Sequence, residues 1–172
     1  MRRFILTLIV ALSFVFESIF VMHFPPTIFG KEWIIIPHFT LVILMTIVIY
    51  DHRRSALLLS FVFGLFYDMY YTEIIGVYLA LFPFIVYGTS KLMIVLQSNV
   101  LVVTLLILVG NVFLEFIVYQ FHLLIQTTTI SFDQFVQLRL WPTLFVNTVF
   151  FLLVVFPLRK QLLRWKNERS EE

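Results

Sequence analysis

Six apolar runs, separated by short polar or basic segments, take up nearly all of this 172-residue chain. About 20 apolar residues make a helix long enough to cross a hydrocarbon layer about 30 Å thick. In lipid, every backbone N–H and C=O must also find its partner inside the protein, which restricts such runs to helices or closed barrels. The pattern predicts an all-α integral membrane protein built as a six-transmembrane-helix bundle. The composition agrees: 61% of residues are hydrophobic and only 13% charged, against about 25% charged in soluble domains.

Little else fits into the length. Residues 1–158 read as one six-span membrane domain and 159–172 as a basic cytoplasmic tail, which leaves no room for a soluble catalytic module. The chain has no cysteine, so disulfides, thiolate metal sites and a cysteine nucleophile are excluded. The apolar stretch 4–21 follows Arg2 and Arg3 as a signal peptide would, but it is longer than a secretory h-region of about 7–15 residues. It lacks a small-residue cleavage site and contains Glu17, so it reads as a retained first span.

Further spans are predicted at 33–50, 55–70, 76–90, 100–125 and 142–156. Spans two and three form a tight hairpin across Asp51-His52-Arg53-Arg54, and Pro83 and Gly88 are placed to kink span four. Ser131 and Gln134 have capping-box spacing, which predicts a short interfacial helix over 131–139 ahead of Pro142. In the tail, Leu158, Leu162 and Trp165 share a helical face suited to resting on the membrane.

Charge asymmetry sets the expected orientation. With the amino terminus in the cytoplasm, inside segments hold Arg2, Arg3, Arg53, Arg54, Lys91 and the basic tail, ten basic residues in all. Outside segments hold Lys31 and Arg139. This positive-inside bias predicts both termini in the cytoplasm, and it accounts for the pI of about 9.0 without nucleic acid.

Against this apolar background three carboxylates stand out: Glu17, Asp68 and Glu115. Each lies 13 to 15 residues from the cytoplasmic start of its span, which is roughly 20 Å into the bilayer. An ionised acid near mid-membrane costs about 2.5–3.5 kcal/mol on insertion scales, so these groups must face protein, a cavity or a partner. On span five, Thr104, Asn111, Glu115, Tyr119 and His122 follow helical spacing on one face. Glu17 with Ser13, Asn147 with Thr143, and His38 fall at matching depth, and Arg139 and His122 are the nearest cationic groups. The intramembrane belt is therefore Glu17, His38, Asn111, Glu115, His122, Asn147 and Arg139. It can serve as a helix-packing network, as a surface for another membrane protein, or as a pathway for protons or solute.

Catalysis finds little foothold. Glu17, His38, Glu115 and His122 carry metal-ligating groups, but no H-E-x-x-H spacing occurs, and there is no P-loop, dinucleotide fingerprint or G-x-S-x-G elbow. Intramembrane proteolysis by paired aspartates needs two, and Asp68 alone lies in a span. The reading is of a non-enzyme with no cofactor and no metal.

The most specific local pattern is Gly64-Leu65-Phe66-Tyr67-Asp68 followed by Gly76. Gly64 and Asp68 are one turn apart, so a close helix contact and a carboxylate share a face at the corner between spans three and four. At that corner Asp68 can bond backbone N–H groups of the hinge or meet Arg139. The pattern resembles the G-L-x-x-D…G signature of the rod-shape-determining MreD family. Phe24-Pro25-Pro26, Gly30, Glu32-Trp33-Ile34-Ile35 and Pro37 resemble the first loop and second span of its Gram-positive members. The 14–20 stretch with Glu17, and Gln137-Leu138-Arg139-Leu140 before Pro142, add to the match.

The resemblance implies a fold similar to the substrate-binding subunits of energy-coupling-factor vitamin transporters. It implies a multi-pass protein of the bacterial plasma membrane that binds MreC and acts as a scaffold in cell-wall elongation and rod-shape maintenance. MreB, RodA and its penicillin-binding partner would be linked through MreC, and a homodimer is left open. Gly64, Asp68 and Gly76 carry over as signature positions without assigned chemistry. The shared fold also raises an alternative, a small-solute substrate-binding subunit.

Overall fold

A helix that is apolar on every side belongs either in lipid or in the middle of other helices. In the computed structural model, which describes residues 2–23, 27–28, 31–51, 53–72, 74–96 and 99–170, α2 (Phe39–Tyr50) takes the second course. Its residues from Phe39 to Val48 are all buried, and it touches α1 (Arg2–His23), α3 (Arg53–Tyr71), α4 (Val77–Val95), α5 (Val100–Leu124) and α7 (Trp141–Ser170). The surrounding helices turn Phe4, Phe61, Phe84, Phe113 and Phe145 outward, as a lipid-facing surface requires. A two-residue antiparallel pair, β1 (Thr27–Ile28) with β2 (Lys31–Glu32), follows α1. Pro25, Pro26, Gly30 and His52, on which several expectations rest, lie outside the described residues.

The protein is an all-α membrane protein, but by length and composition four helical segments qualify as crossings: Arg3–His23, Val77–Val95, Val100–Leu124 and Phe132–Trp165. The two remaining expected spans differ from these for separate reasons. α3 has 19 residues yet carries Arg53, Arg54 and Asp68. α2 has only 12 helical residues, about 18 Å, because 33–38 is not helical as expected. Pro37 disfavours helix at the residue before it and donates no hydrogen bond, so the helix starts after it. Six non-helical residues can add up to about 20 Å of reach.

Two further expectations change. The interfacial helix over 131–139 is not separate: α6 (Phe132–Gln134) runs through a π-helical segment (Phe135–Leu140) into α7. The Ser131–Gln134 capping box that opens it is present. α7 does not stop at Pro157 but continues to Ser170, so the expected 158/159 boundary falls inside one helix. Leu158, Leu162 and Trp165 are buried in the chain's own hydrophobic core and do not lie on the membrane. Arg159 lies over the Tyr50 ring at 5.5 Å, joining this extension to the end of α2.

Candidate functional site

A break in a buried helix leaves backbone donors without partners, and inside a membrane each must be satisfied by protein. Along 33–40 the alternate N–H groups all find one. Ile34 N–H donates to the Leu138 carbonyl at 2.8 Å. That carbonyl is available because the residue four positions on is Pro142, which has no N–H to return. Ile36 N–H donates to Thr143 Oγ1 at 3.1 Å, and His38 N–H to Asn147 Oδ1 at 2.9 Å. Thr40 N–H, in the first turn of α2, donates to Glu17 Oε2 at 3.2 Å. Two helices, α1 and α7 with its π-helical start, thus lend side chains or a carbonyl to hold the unwound strand and the first turn of α2.

The belt residues gather around this strand in two clusters. Glu115, fully buried on α5, pairs with His38 Nε2 through Oε1 at 2.6 Å and with Arg139 Nε through Oε2 at 2.6 Å. Asn147 completes this side: its Nδ2 donates to Asn111 Oδ1 at 3.1 Å, while Asn111 Nδ2 donates to the Ile107 carbonyl at 2.8 Å. The second cluster is centred on Glu17. It accepts from the Tyr67 hydroxyl through Oε1, and from Thr40 N–H and Oγ1 through Oε2.

The polar stripe on α5 does turn inward, but its members do not all meet the belt. Tyr119 donates to the Ile130 carbonyl at 2.9 Å, and His122 pairs with Thr127 Oγ1 at 2.7 Å, both at the helix's end. Glu17 faces the same cavity as Val118 and His122 of α5 but bonds Tyr67 and Thr40, and Ser13 donates to the Val10 carbonyl of its own helix. Tyr67 and Thr40 belong to the site although sequence reasoning did not assign them to it. The available signal was Tyr67's place beside Asp68, one residue off its face. Among the described residues no group of three His, Cys, Asp or Glu side chains is arranged to hold a metal.

Gly64, Asp68 and Gly76 form a third constellation, built on backbone. Asp68 is fully buried and accepts from Gly76 N–H at 2.8 Å, Tyr78 N–H at 2.8 Å and Leu79 N–H at 2.9 Å. It therefore caps the amino-terminal end of α4, where helix N–H groups lack partners and the dipole favours an anion. Arg139 is taken up by Glu115, so the alternative pairing of Asp68 with Arg139 does not occur. Gly76 supplies a φ of +123°, which side chains resist. A Cβ on Gly64 would lie 2.6 Å from the Tyr78 carbonyl oxygen and 3.0 Å from Leu79 Cα, so α3 and α4 can approach this closely only at glycine.

Between the belt and the corner lies a cavity of about 230 Å³, lined by Glu17, Tyr67, Tyr78, Thr72, His122 and Arg139 among others. Its two charged side chains already have protein partners.

With this geometry in view, comparison with known proteins is decisive. The family model for the rod shape-determining protein MreD matches residues 2–165. The chain belongs to the MreD family. It is 33% identical to the rod shape-determining protein MreD of Bacillus subtilis (strain 168) over 174 residues, covering 100% of both chains. No solved structure matches, so the expected likeness to energy-coupling-factor subunits gains no support there. The signature that pointed to the family is the α3–α4 corner, and its three residues are explained by one piece of packing. Membership makes this a rod-shape-determining membrane protein, and cell shape and wall elongation are its setting.

Proposed function

We propose that this chain is a non-catalytic scaffold of the wall-elongation machinery that binds MreC within the membrane. Through MreC it is linked to MreB, RodA and the penicillin-binding partner. The observation that carries this reading is the condition of the acids. Glu17, Asp68 and Glu115 each hold two or more protein donors, and each braces a backbone irregularity or a helix junction. Polar groups arranged this way shape a surface; they do not offer themselves to substrate. The outward faces carry large apolar side chains, the kind of surface that binds a transmembrane helix.

In this reading the chain crosses six times with both termini in the cytoplasm, α2 and its unwound lead-in making the second crossing and α3 the third. Because the chain has no cysteine, single-cysteine variants are read directly. Cysteines at Lys31 and Gln126 are expected to react with an impermeant thiol reagent in intact cells, and one at His52 is not. Labelling at His52 from outside sinks the topology. Co-expression with MreC is expected to give a stable complex in detergent. A folded, membrane-inserted chain that never retains MreC contradicts the scaffold reading.

A further inference from the structure

The backbones of α1 and α3 come close at few points. Phe14, Glu17 and Ser18 of α1 meet Phe63, Tyr67 and Tyr71 of α3, and alongside these contacts a cleft runs from a basic mouth into an apolar channel. At the mouth, Arg3, Thr7, Arg54, Ser55 and Leu58 surround a cavity of about 290 Å³. Thr7 also lines the next cavity, about 620 Å³, whose walls include Ala11, Phe14, Val62, Phe63 and Phe66. We infer that this cleft is a binding site for one anionic phospholipid, its phosphate between Arg3 and Arg54 and an acyl chain along α1 and α3.

Four observations favour that occupant. Of the other basic side chains described on the same side of the molecule, all but the exposed Lys160 are already engaged: Arg53 and Lys91 lie over the Tyr87 ring, Arg159 over Tyr50, and Arg164 pairs with Glu168. Among the described residues, Arg3 and Arg54 have neither an aromatic nor an acidic partner of this kind. The mouth is also the start of α3, whose first turn contains Arg54 and Ser55 and no acid. Helix N–H groups there add to the attraction for phosphate. From Arg54 to Phe66 the helix rises about 18 Å, close to one leaflet's share of a hydrocarbon core about 30 Å thick. Basic pockets between membrane helices on the cytoplasmic side recognise anionic headgroups in this manner.

The leaflet assignment rests on the orientation proposed above, whereas the binding itself does not. The test is therefore made on the purified full-length chain, by native mass spectrometry during titration with phosphatidylglycerol or phosphatidylcholine of identical acyl chains. One phosphatidylglycerol is expected to bind in clear preference to phosphatidylcholine. The double variant Arg3→Gln/Arg54→Gln is expected to bind it about thirtyfold more weakly, the factor two surface-basic contacts supply. A control with the same charge change on the same side, Lys160→Gln/Arg164→Gln, is expected to retain it. Ala11→Leu, which leaves both arginines but fills the channel, is expected to weaken binding of both lipids. Equal binding of the two lipids by the unmodified chain overturns the proposal, as does equal loss in the arginine pair and the control pair. Should thiol labelling place Arg54 outside while the lipid preference stands, the site survives and only its leaflet changes.

Discussion

The α3–α4 corner and the Glu115 cluster both bury a carboxylate completely, yet they are assembled in opposite ways. Asp68 reaches backbone N–H groups 8 to 11 residues along the chain. Glu115 reaches side chains 77 and 24 residues away, on a broken strand and on a π-helical turn. The corner is a local device, and its parts are readable as a spacing: glycine, acid one turn later, glycine at the hinge. The cluster exists only once α5, α7 with its π-helical start and the unwound lead-in to α2 are in place. A local cap tolerates changes in distant packing, whereas a long-range ion cluster requires the whole bundle.

The largest expected effect breaks the cluster. Glu115→Gln leaves Arg139 largely buried without its carboxylate, and breaking such a pair costs about 3–5 kcal/mol. Thermal unfolding in detergent reads this directly. Were Glu115 only a neutral packing residue satisfied by Asn111 and Tyr119, as the spacing on α5 allows, the change would be nearly silent. Both are bonded elsewhere.

Next comes the corner. Asp68→Ala deprives three α4 N–H groups of their acceptor and is expected to cost about 3 kcal/mol, with Asp68→Asn nearer half of that, given about 1.5–3 kcal/mol for a hydrogen bond to a charged group. If Asp68→Asn proves more damaging than Glu115→Gln, the local device dominates and the comparison reverses. Gly64→Ala is expected to cost about 1–3 kcal/mol through overpacking against the Tyr78 carbonyl. Its combination with Asp68→Asn should be non-additive because both act on one junction, while combination with a change at Asn147 should add. The smallest effect is expected at Thr143→Val, about 1 kcal/mol for the lost acceptor of Ile36 N–H. A null result there means that the unwound strand does not need its side-chain ladder.

The same contrast explains what was legible in the sequence. The limits of α3 and α5 follow within two residues from apolar length, and the Ser131–Gln134 cap follows from spacing, whereas α4 runs five residues past its expected end at Ser90. The inward turn of Asn111 and Glu115 follows from helical period. What could not be read is the break before α2, although Pro37 marks it, because an apolar run around a proline suits helix and strand alike. Glu115's partners His38 and Arg139 were among the groups expected at its depth, but which of them paired was not legible, since depth in the membrane is a single coordinate that His122, Asn111 and Asn147 share. Pro142 and Pro157 looked alike as helix punctuation. The first sits at a π-helical turn and releases the Leu138 carbonyl to Ile34, and the second is exposed within a continuing helix.

On the scaffold proposal, the buried acids hold the bundle together and do not conduct protons or solute. Replacing a buried ion pair by apolar side chains of similar size can preserve stability, whereas removing one partner cannot. The decisive measurement is therefore the shape of cells whose only copy of this protein carries Glu115→Leu with Arg139→Met and His38→Phe, scored alongside its abundance in the membrane. The third change is needed because His38 loses its Glu115 partner. The scaffold proposal predicts membrane levels well above those of Glu115→Leu alone and cells that remain rods. Round cells containing normal amounts of the folded triple variant would contradict it, because the carboxylate would then be needed for something other than structure.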